Sequence, residues 1–273
     1  MQIQTEVCNF CNAECVFCHW PNMVRAKGVM SMDLFRKIVD EAATIPEVNQ
    51  FTLTGLGETL IDKHLIERLK YVRKMMPKLE CLDLYTNGTL LTDKMIDDLV
   101  GLIDVLYVSL NAVDEGQRQQ IMKLDDYEEV KEQCHNAIKK AKGTRTRVVV
   151  KCVGSKDLLE AGDAELFLNE WHGPHDQGGN AFIHLEGNWG GDTFKMRTVP
   201  RRACFRALTQ IMILWDGRVS LCCFDGEGKV TLGNLNTQGI REVYNGEKAL
   251  NYRLAHVEGR RHTLDLCKDC TQI

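Results

Sequence analysis

Cys11-Asn12-Ala13-Glu14-Cys15-Val16-Phe17-Cys18 places three thiols at x3 and x2 spacing in one short loop, directly after an expected strand from Ile3 to Val7. Thiolates spaced this way can converge on one soft metal centre. Three ligands hold a 4Fe-4S cluster and leave one iron open, and an open iron is where chemistry can occur. Zinc sites usually pair C-x2-C units with a second pair or with histidines, and His19 is awkwardly placed for that. A zinc knuckle or a loop of buried thiols is therefore the weaker reading.

Outward from this loop the chain alternates. Ser31 caps an expected helix from Met32 to Ile45, whose Leu34, Ile38, Val39 and Ala42 share one face. Strand Phe51 to Thr54 then runs into Gly55-Leu-Gly-Glu-Thr59. Helix Lys63 to Met76 stops at Pro77, strand Cys81 to Thr86 ends in Asn87-Gly88, and Thr92 caps a helix to about Leu102. Strand Val105 to Leu110 precedes a helical stretch from Glu115 to Lys142, broken near Asp125. Strand Arg145 to Cys152, helix Leu158 to Trp171 and strand Ala181 to Glu186 complete the run. Six strands alternating with helices predict a parallel sheet with right-handed crossovers.

One strand face stays polar. It carries Gln4 and Glu6, Thr52 and Thr54, Tyr85 and Asn87, Tyr107, Ser109 and Asn111, Arg147 and Lys151, and His184 and Glu186. The other face carries Ile3, Leu53, Leu82, Leu84, Leu106, Leu110, Val148, Val150, Ile183 and Leu185, which helices would cover. A closed eight-strand barrel instead packs its lumen with branched apolar side chains. The pattern predicts an open half-barrel with a wet interior.

Bulk properties bound the rest. The chain of 273 residues has room for one large α/β domain and a small appendage. A formal charge of -4 argues against a protein that tracks nucleic-acid phosphates. No apolar run approaches the ~18 residues of a membrane span, and no signal peptide is visible. Twelve cysteines without an export signal predict a reducing, cytoplasmic setting in which thiols serve metals.

C-x3-C-x2-C after the first strand, with Phe17 just before the last cysteine, resembles the signature of the radical S-adenosylmethionine (SAM) superfamily. The resemblance implies a (β/α)6 partial barrel over residues 1–190, with Cys11, Cys15 and Cys18 on a 4Fe-4S cluster whose open iron is chelated by SAM. Electron transfer from that cluster then cleaves SAM to a 5'-deoxyadenosyl radical, while the protein positions the cofactor and excludes competing reactions. A flavodoxin or ferredoxin-type reductant is implied as partner.

A second set lies downstream. Cys204, Gly217, Cys222 and Cys267-x2-Cys270 surround a hairpin signal in which Leu208 to Leu214 and Val219 to Leu221 flank Asp216-Gly217. A helix is expected from Gly239 to Glu258. Four cysteines so distributed can close a ligand shell, and spacing alone also allows zinc. C-x12-G-x4-C, a Gly233-Asn234-Leu235 turn and C-x2-C resemble the auxiliary-cluster domain of the SPASM and twitch subfamilies. A full SPASM domain continues with further cysteines, so the resemblance is to the shorter twitch type, over residues 203–273, after a linker from Trp189 to about Arg202. Two 4Fe-4S clusters follow.

The same resemblance assigns the cofactor pocket. Glycines let a backbone approach a ligand closely, which suits Gly55, Gly57 and Glu58 as the SAM ammonium site; a tight strand-to-helix turn is the alternative. Asn87 and Ser109 match positions that contact ribose and the methionine moiety, and are otherwise turn or capping residues. Phe17 is expected against adenine or as plain core. Lys151 is expected to pair with the SAM carboxylate or a substrate anion. Cys81, Cys134 and Cys152 read as buried thiols, and Cys8 lies outside the motif. Cys223 follows a cluster ligand at the edge of the site and reads as a hydrogen-atom donor or as an idle neighbour.

The implied activity is abstraction of a substrate hydrogen atom. The overall pattern is similar to twitch-type aminocyclitol dehydrogenases, which predicts two-electron oxidation of a small polar substrate with the auxiliary cluster as electron acceptor. Trp189 stands where such a dehydrogenase offers a substrate-binding arginine. The alternatives are an epimerase of a peptide or sugar using Cys223, and a two-cluster electron carrier, which would need no open iron.

Overall fold

The computed structural model describes residues 1–154, 162–172, 179–193 and 202–272. Strands β1 (Gln2–Thr5), β2 (Gln50–Leu53), β3 (Cys81–Thr86), β4 (Val105–Ser109), β5 (Arg147–Gly154) and β6 (Gly179–Leu185) pair in parallel, each with the next. Helices α1 (Met32–Ala42), α2 (Leu65–Met75), α3 (Asp93–Leu99), α4 (Glu115–Met122), α5 (Tyr127–Ala141) and α6 (Asp163–Trp171) cross between them. The expected start of the last helix at Leu158 lies outside the described residues, as does most of the expected linker. The expected caps are made: Leu34 N–H donates to Ser31 Oγ at 3.2 Å and Met95 N–H to Thr92 Oγ1 at 3.2 Å.

The apolar strand face is the core except at the end of β6, where Leu185 is 80% exposed instead of covered by a helix. Ile3, Phe51, Leu53, Leu82, Leu84, Leu106, Val108, Val148 and Val150 are fully buried against Phe35, Ile38, Leu69, Val72, Ile96 and Val130 of the helices. Side chains alternate across a strand, so this burial fixes the register and turns the polar set inward. At the base of that inner face Gln2 Nε2 donates to Thr52 Oγ1 at 2.8 Å, which donates to Asp83 Oδ1 at 2.6 Å.

The sheet does not stop at six strands. Phe205–Thr209 forms α7, and β7 (Gln210–Ile213) then runs parallel to β1 on its open edge. β8 (Arg218–Ser220) and β9 (Thr231–Asn234) follow antiparallel, giving one nine-stranded sheet in the order β6-β5-β4-β3-β2-β1-β7-β8-β9 among the described residues. An uncovered β1 edge would expose unpaired N–H and C=O groups, and β7 satisfies them. The expected strand from Leu208 thus begins later, and β9 replaces a simple turn at Gly233-Asn234. The helix expected from Gly239 to Glu258 is two: α8 (Ile240–Tyr244) and α9 (Glu247–Val257), divided at Asn245-Gly246. Asn and Gly are poor helix formers, and Gly246 sits in extended conformation as the cap of α9.

Asp83 is fully buried, and burial pushes its carboxyl up from 3.8 to about 6 in spite of hydrogen bonds from Thr52 and Gln50. As pH rises through this range the unfolded chain ionises first, so the group subtracts stability that is intact only in acid. Asp83→Asn is expected to stabilise the fold by about 1–3 kcal/mol at neutral pH, a gain that vanishes below about pH 4. Denaturant unfolding across pH checks this, and a destabilised variant at neutral pH would contradict it.

Candidate active site

The first thiol loop is pinned from every side. Glu58 N–H donates to Phe10 O at 2.8 Å, and Trp20 Nε1 to Asn9 O at 2.8 Å. Glu14 and Val16 N–H donate to Met122 O and Ile121 O at 3.1 and 2.9 Å, satisfying carbonyls at the end of α4. Cys11, Cys15 and Phe17 pack on Ala13, Ile121 and Met122. Burial raises the thiols of Cys15 and Cys18, the latter to about 12, and neighbouring motif cysteines raise both further. Thiols held together against their own ionisation fit a cationic centre, whose charge is what deprotonates such ligands. Trp20 N–H approaches Cys18 Sγ at 3.4 Å, a contact of the kind that tunes cluster potential.

The loop after β2 packs on this one without a gap. A Cβ at Gly57 would stand 2.7 Å from Cys8 O and 2.8 Å from Asn9 Cα. One at Gly55 would strike the Glu6 side chain, which is ion-paired with Arg25. Both glycines therefore hold the approach of two loops, whatever they also do for a ligand. Glu58 is almost fully buried, and its carboxylate accepts from Asn87 N–H at 2.7 Å, Thr86 Oγ1 at 2.7 Å and Leu60 N–H at 2.9 Å. Burial raises its pKa against those three donors. Asn87 Nδ2 donates to Asn12 Oδ1 at 2.7 Å, tying the Thr-Asn-Gly turn to the thiol loop.

Arg118 was not singled out by its residue type, yet it organises this end. Fully buried, it donates to Asn87 O at 3.0 Å, Leu110 O at 2.9 Å and Asp126 Oδ1 at 2.5 Å. Its position one turn before Ile121 and Met122 on an amphipathic helix was the available signal. Asn12 was likewise missed.

The second thiol set comes together as spacing predicts. Cys204, Cys222, Cys267 and Cys270 line one small cavity with Arg261, Leu221 and Leu266. All twelve cysteines are free. Among the described residues no three His, Cys, Asp or Glu side chains are set to share a single ion. A cubane takes each thiolate at a different corner, so four thiols ringing a cavity fit it. Arg261, almost fully buried, donates to Cys267 O at 3.1 Å and Cys270 O at 2.7 Å, fixing the C-x2-C turn.

Side chains join the two loops. His19 Nε2 lies 2.7 Å from Glu227 Oε1, which also accepts from Val24 N–H at 2.9 Å. Trp189 donates from Nε1 to Phe17 O at 2.8 Å, with its ring 5.2 Å from Phe224 and 6.3 Å from His19. Trp189 thus acts as a strut between the thiol loops.

Between the loops lies the polar interior. Tyr85 and Tyr107 stack at 4.4 Å, and the Lys151 ammonium lies 4.5 Å above Tyr85 and 5.6 Å from Tyr107. Burial, with Arg206 adding repulsion, pushes Lys151 down to about 8. His184 is pushed down to about 4 by burial and by the charges of Lys151 and Arg206. Burial raises the Cys223 thiol and Arg206 works against that rise, while Cys223 in turn acts on Lys151 and Tyr85, which places it beside this interior. Ser109 pairs in register with Lys151. Arg206 and the convergence of these charges were not legible beforehand.

Comparison with known proteins agrees with this arrangement. The family model described as the radical SAM superfamily matches residues 5–160, and that of the SPASM iron-sulfur cluster-binding domain matches residues 204–271. A tungsten-containing aldehyde ferredoxin oxidoreductase cofactor-modifying protein of Pyrococcus furiosus is 34% identical over 116 residues, or 41% of this chain and 31% of that protein's length. The SAM-dependent 2-deoxy-scyllo-inosamine dehydrogenase of Niallia circulans is 21% identical over 286 residues, 99% of this chain and 92% of the relative. The crystal structure of BtrN in complex with AdoMet and 2-DOIA superposes with a TM-score of 0.70 at 21% identity, covering 100% of this chain and 93% of that one.

Proposed function

The chain belongs to the radical SAM superfamily and is a radical SAM enzyme with SAM and 4Fe-4S clusters as cofactors, and we propose that it oxidises a small polar substrate by dehydrogenation. When bound, SAM and the first cluster supply a 5'-deoxyadenosyl radical for hydrogen abstraction, and a second cluster supplies an acceptor for the electron left behind. Cys11, Cys15 and Cys18 are the proposed ligands of the first; Cys204, Cys222, Cys267 and Cys270 of the second. The observation that carries the reading is the single cavity ringed by those last four thiols. A complete thiolate shell leaves no iron open for substrate and suits electron transfer.

The chain's own residues do the positioning. Asn87, held by Glu58 and Asn12, and Ser109 on β4 are the proposed SAM contacts, with the Gly55–Glu58 turn beside them. Phe17 is packed on Ile121 and Met122, which supports the core reading for it over adenine stacking. The relative whose name is a 2-deoxy-scyllo-inosamine dehydrogenase supports an amino sugar or aminocyclitol as the class to test first. Among the described residues no helix is long and apolar enough to cross a membrane. Twelve free thiols suit a reducing cytoplasm, where a flavodoxin or ferredoxin would serve as reductant.

Cys223 keeps an epimerase reading in play, because its thiol faces Arg206, Lys151 and Tyr85 in the interior. A thiol there could return a hydrogen atom to a substrate radical. Under dehydrogenation, Cys223→Ala leaves turnover unchanged, costs at most about 1–2 kcal/mol of packing, and the product is about two mass units lighter than substrate. An unchanged product mass, with solvent deuterium at carbon only when Cys223 is present, would favour epimerisation instead.

A further inference from the structure

Lys151 carries a half-buried ammonium over the faces of Tyr85 and Tyr107, with the Cys223 thiol as the one neighbour that favours its charge: it has no hydrogen bond and no ion pair to any described residue. Aromatic faces attract a cation but leave its charge uncompensated, and unpaired buried charge is costly. The surroundings add to that cost. Arg206 lies close enough to repel Lys151, and both act on His184, whose Nδ1 is buried without a hydrogen-bond partner. Asp83, in the layer below, is occupied by Thr52 and Gln50. Phe182, in register with Lys151 and stacked at 5.7 Å on His184, is half exposed, so this layer reaches solvent at the β6 edge.

We propose that this interior receives its substrate by an anionic group, a carboxylate or a phosphate, held by Lys151 with His184 and Arg206 beside it. The inference rests on the dehydrogenase reading of the same site, but moves its substrate class from an amino sugar or aminocyclitol to an anionic derivative of a small polyol. An amino group in its ammonium form would meet repulsion from Lys151 and Arg206. The anion is the substrate's rather than that of SAM. Although Lys151 pairs with Ser109 in register, its ammonium lies over the Tyr85–Tyr107 pair, the inward-facing layer that precedes Asn87 and Ser109 along their strands.

The test is anaerobic calorimetry on reconstituted, SAM-loaded enzyme with four probes: myo-inositol, inositol 1-phosphate, glucuronate and glucosamine. One anionic probe is expected to bind about tenfold or more tighter than the neutral polyol, with glucosamine weakest. Comparison of the phosphate and carboxylate arms identifies which anion the site takes. Lys151→Gln is expected to remove that preference, keep SAM affinity within about twofold, and melt no lower than wild type, since it deletes an unpaired charge. Equal binding of all probes, no anion binding up to about 10 mM, or a variant that loses SAM instead of the anion would overturn the proposal. 5'-Deoxyadenosine assayed in the same samples keeps the readings apart: its absence counts against the radical reading while leaving the charge preference measured.

Discussion

Changing Cys11, Cys15 and Cys18 together to alanine removes about half of the roughly eight irons expected for two cubanes and abolishes SAM cleavage. The remaining half stays because the second set closes its own shell: Cys204, Cys222, Cys267 and Cys270 ring a separate cavity whose C-x2-C turn is fixed by Arg261. The fold survives, since the loop's backbone bonds to Met122, Ile121 and Glu58 do not involve the thiols. Iron analysis with absorbance spectra checks the count. Loss of all iron would mean that the two sets are not independent, and loss of none would remove the first loop as a cluster site.

The second large effect belongs to Arg118. Its guanidinium joins three elements: the Thr-Asn-Gly turn through Asn87 O, the end of β4 through Leu110 O, and the start of α5 through Asp126. Arg118→Met leaves two carbonyls and a largely buried carboxylate without their donor. Breaking a buried pair from one side costs about 3–5 kcal/mol, at the lower end here because Asp126 keeps some contact with water. Asn87 then keeps its bonds to Glu58 and Asn12 but loses the one at its carbonyl, so SAM affinity falls about tenfold as well. Arg118→Lys does not rescue, because a single ammonium cannot span the fork. Thermal unfolding and SAM titration check both; stability within about 1 kcal/mol of wild type would show the network to be dispensable.

The reach of the sequence follows from how local each signal is. Alternation in β2 to β5 is local and is realised: Leu82, Leu84, Leu106 and Val148 are buried outward while Tyr85, Tyr107 and Lys151 meet inside. The downstream thiol spacing is legible too, and Cys204, Cys222, Cys267 and Cys270 line one cavity. The pairing of β7 with β1 is not local, because an edge strand's partner depends on which edge is left open. Arg118 escaped notice because an arginine on a helix ordinarily reads as solvated. Only the tertiary structure reveals that its three acceptors converge. Gly57 carried the opposite lesson: a residue read for its approach to a ligand also holds the backbone approach of two loops.

The central claim is that the first thiol loop and the Asn87–Glu58 pocket together make a SAM-cleaving site. Its most direct measurement is chromatographic quantification of 5'-deoxyadenosine from SAM, using anaerobically reconstituted protein reduced with dithionite. The account predicts its formation by wild type and its absence in the triple cysteine variant. Stoichiometric zinc with no cluster absorbance after reconstitution, or a full complement of iron with no 5'-deoxyadenosine, would contradict it.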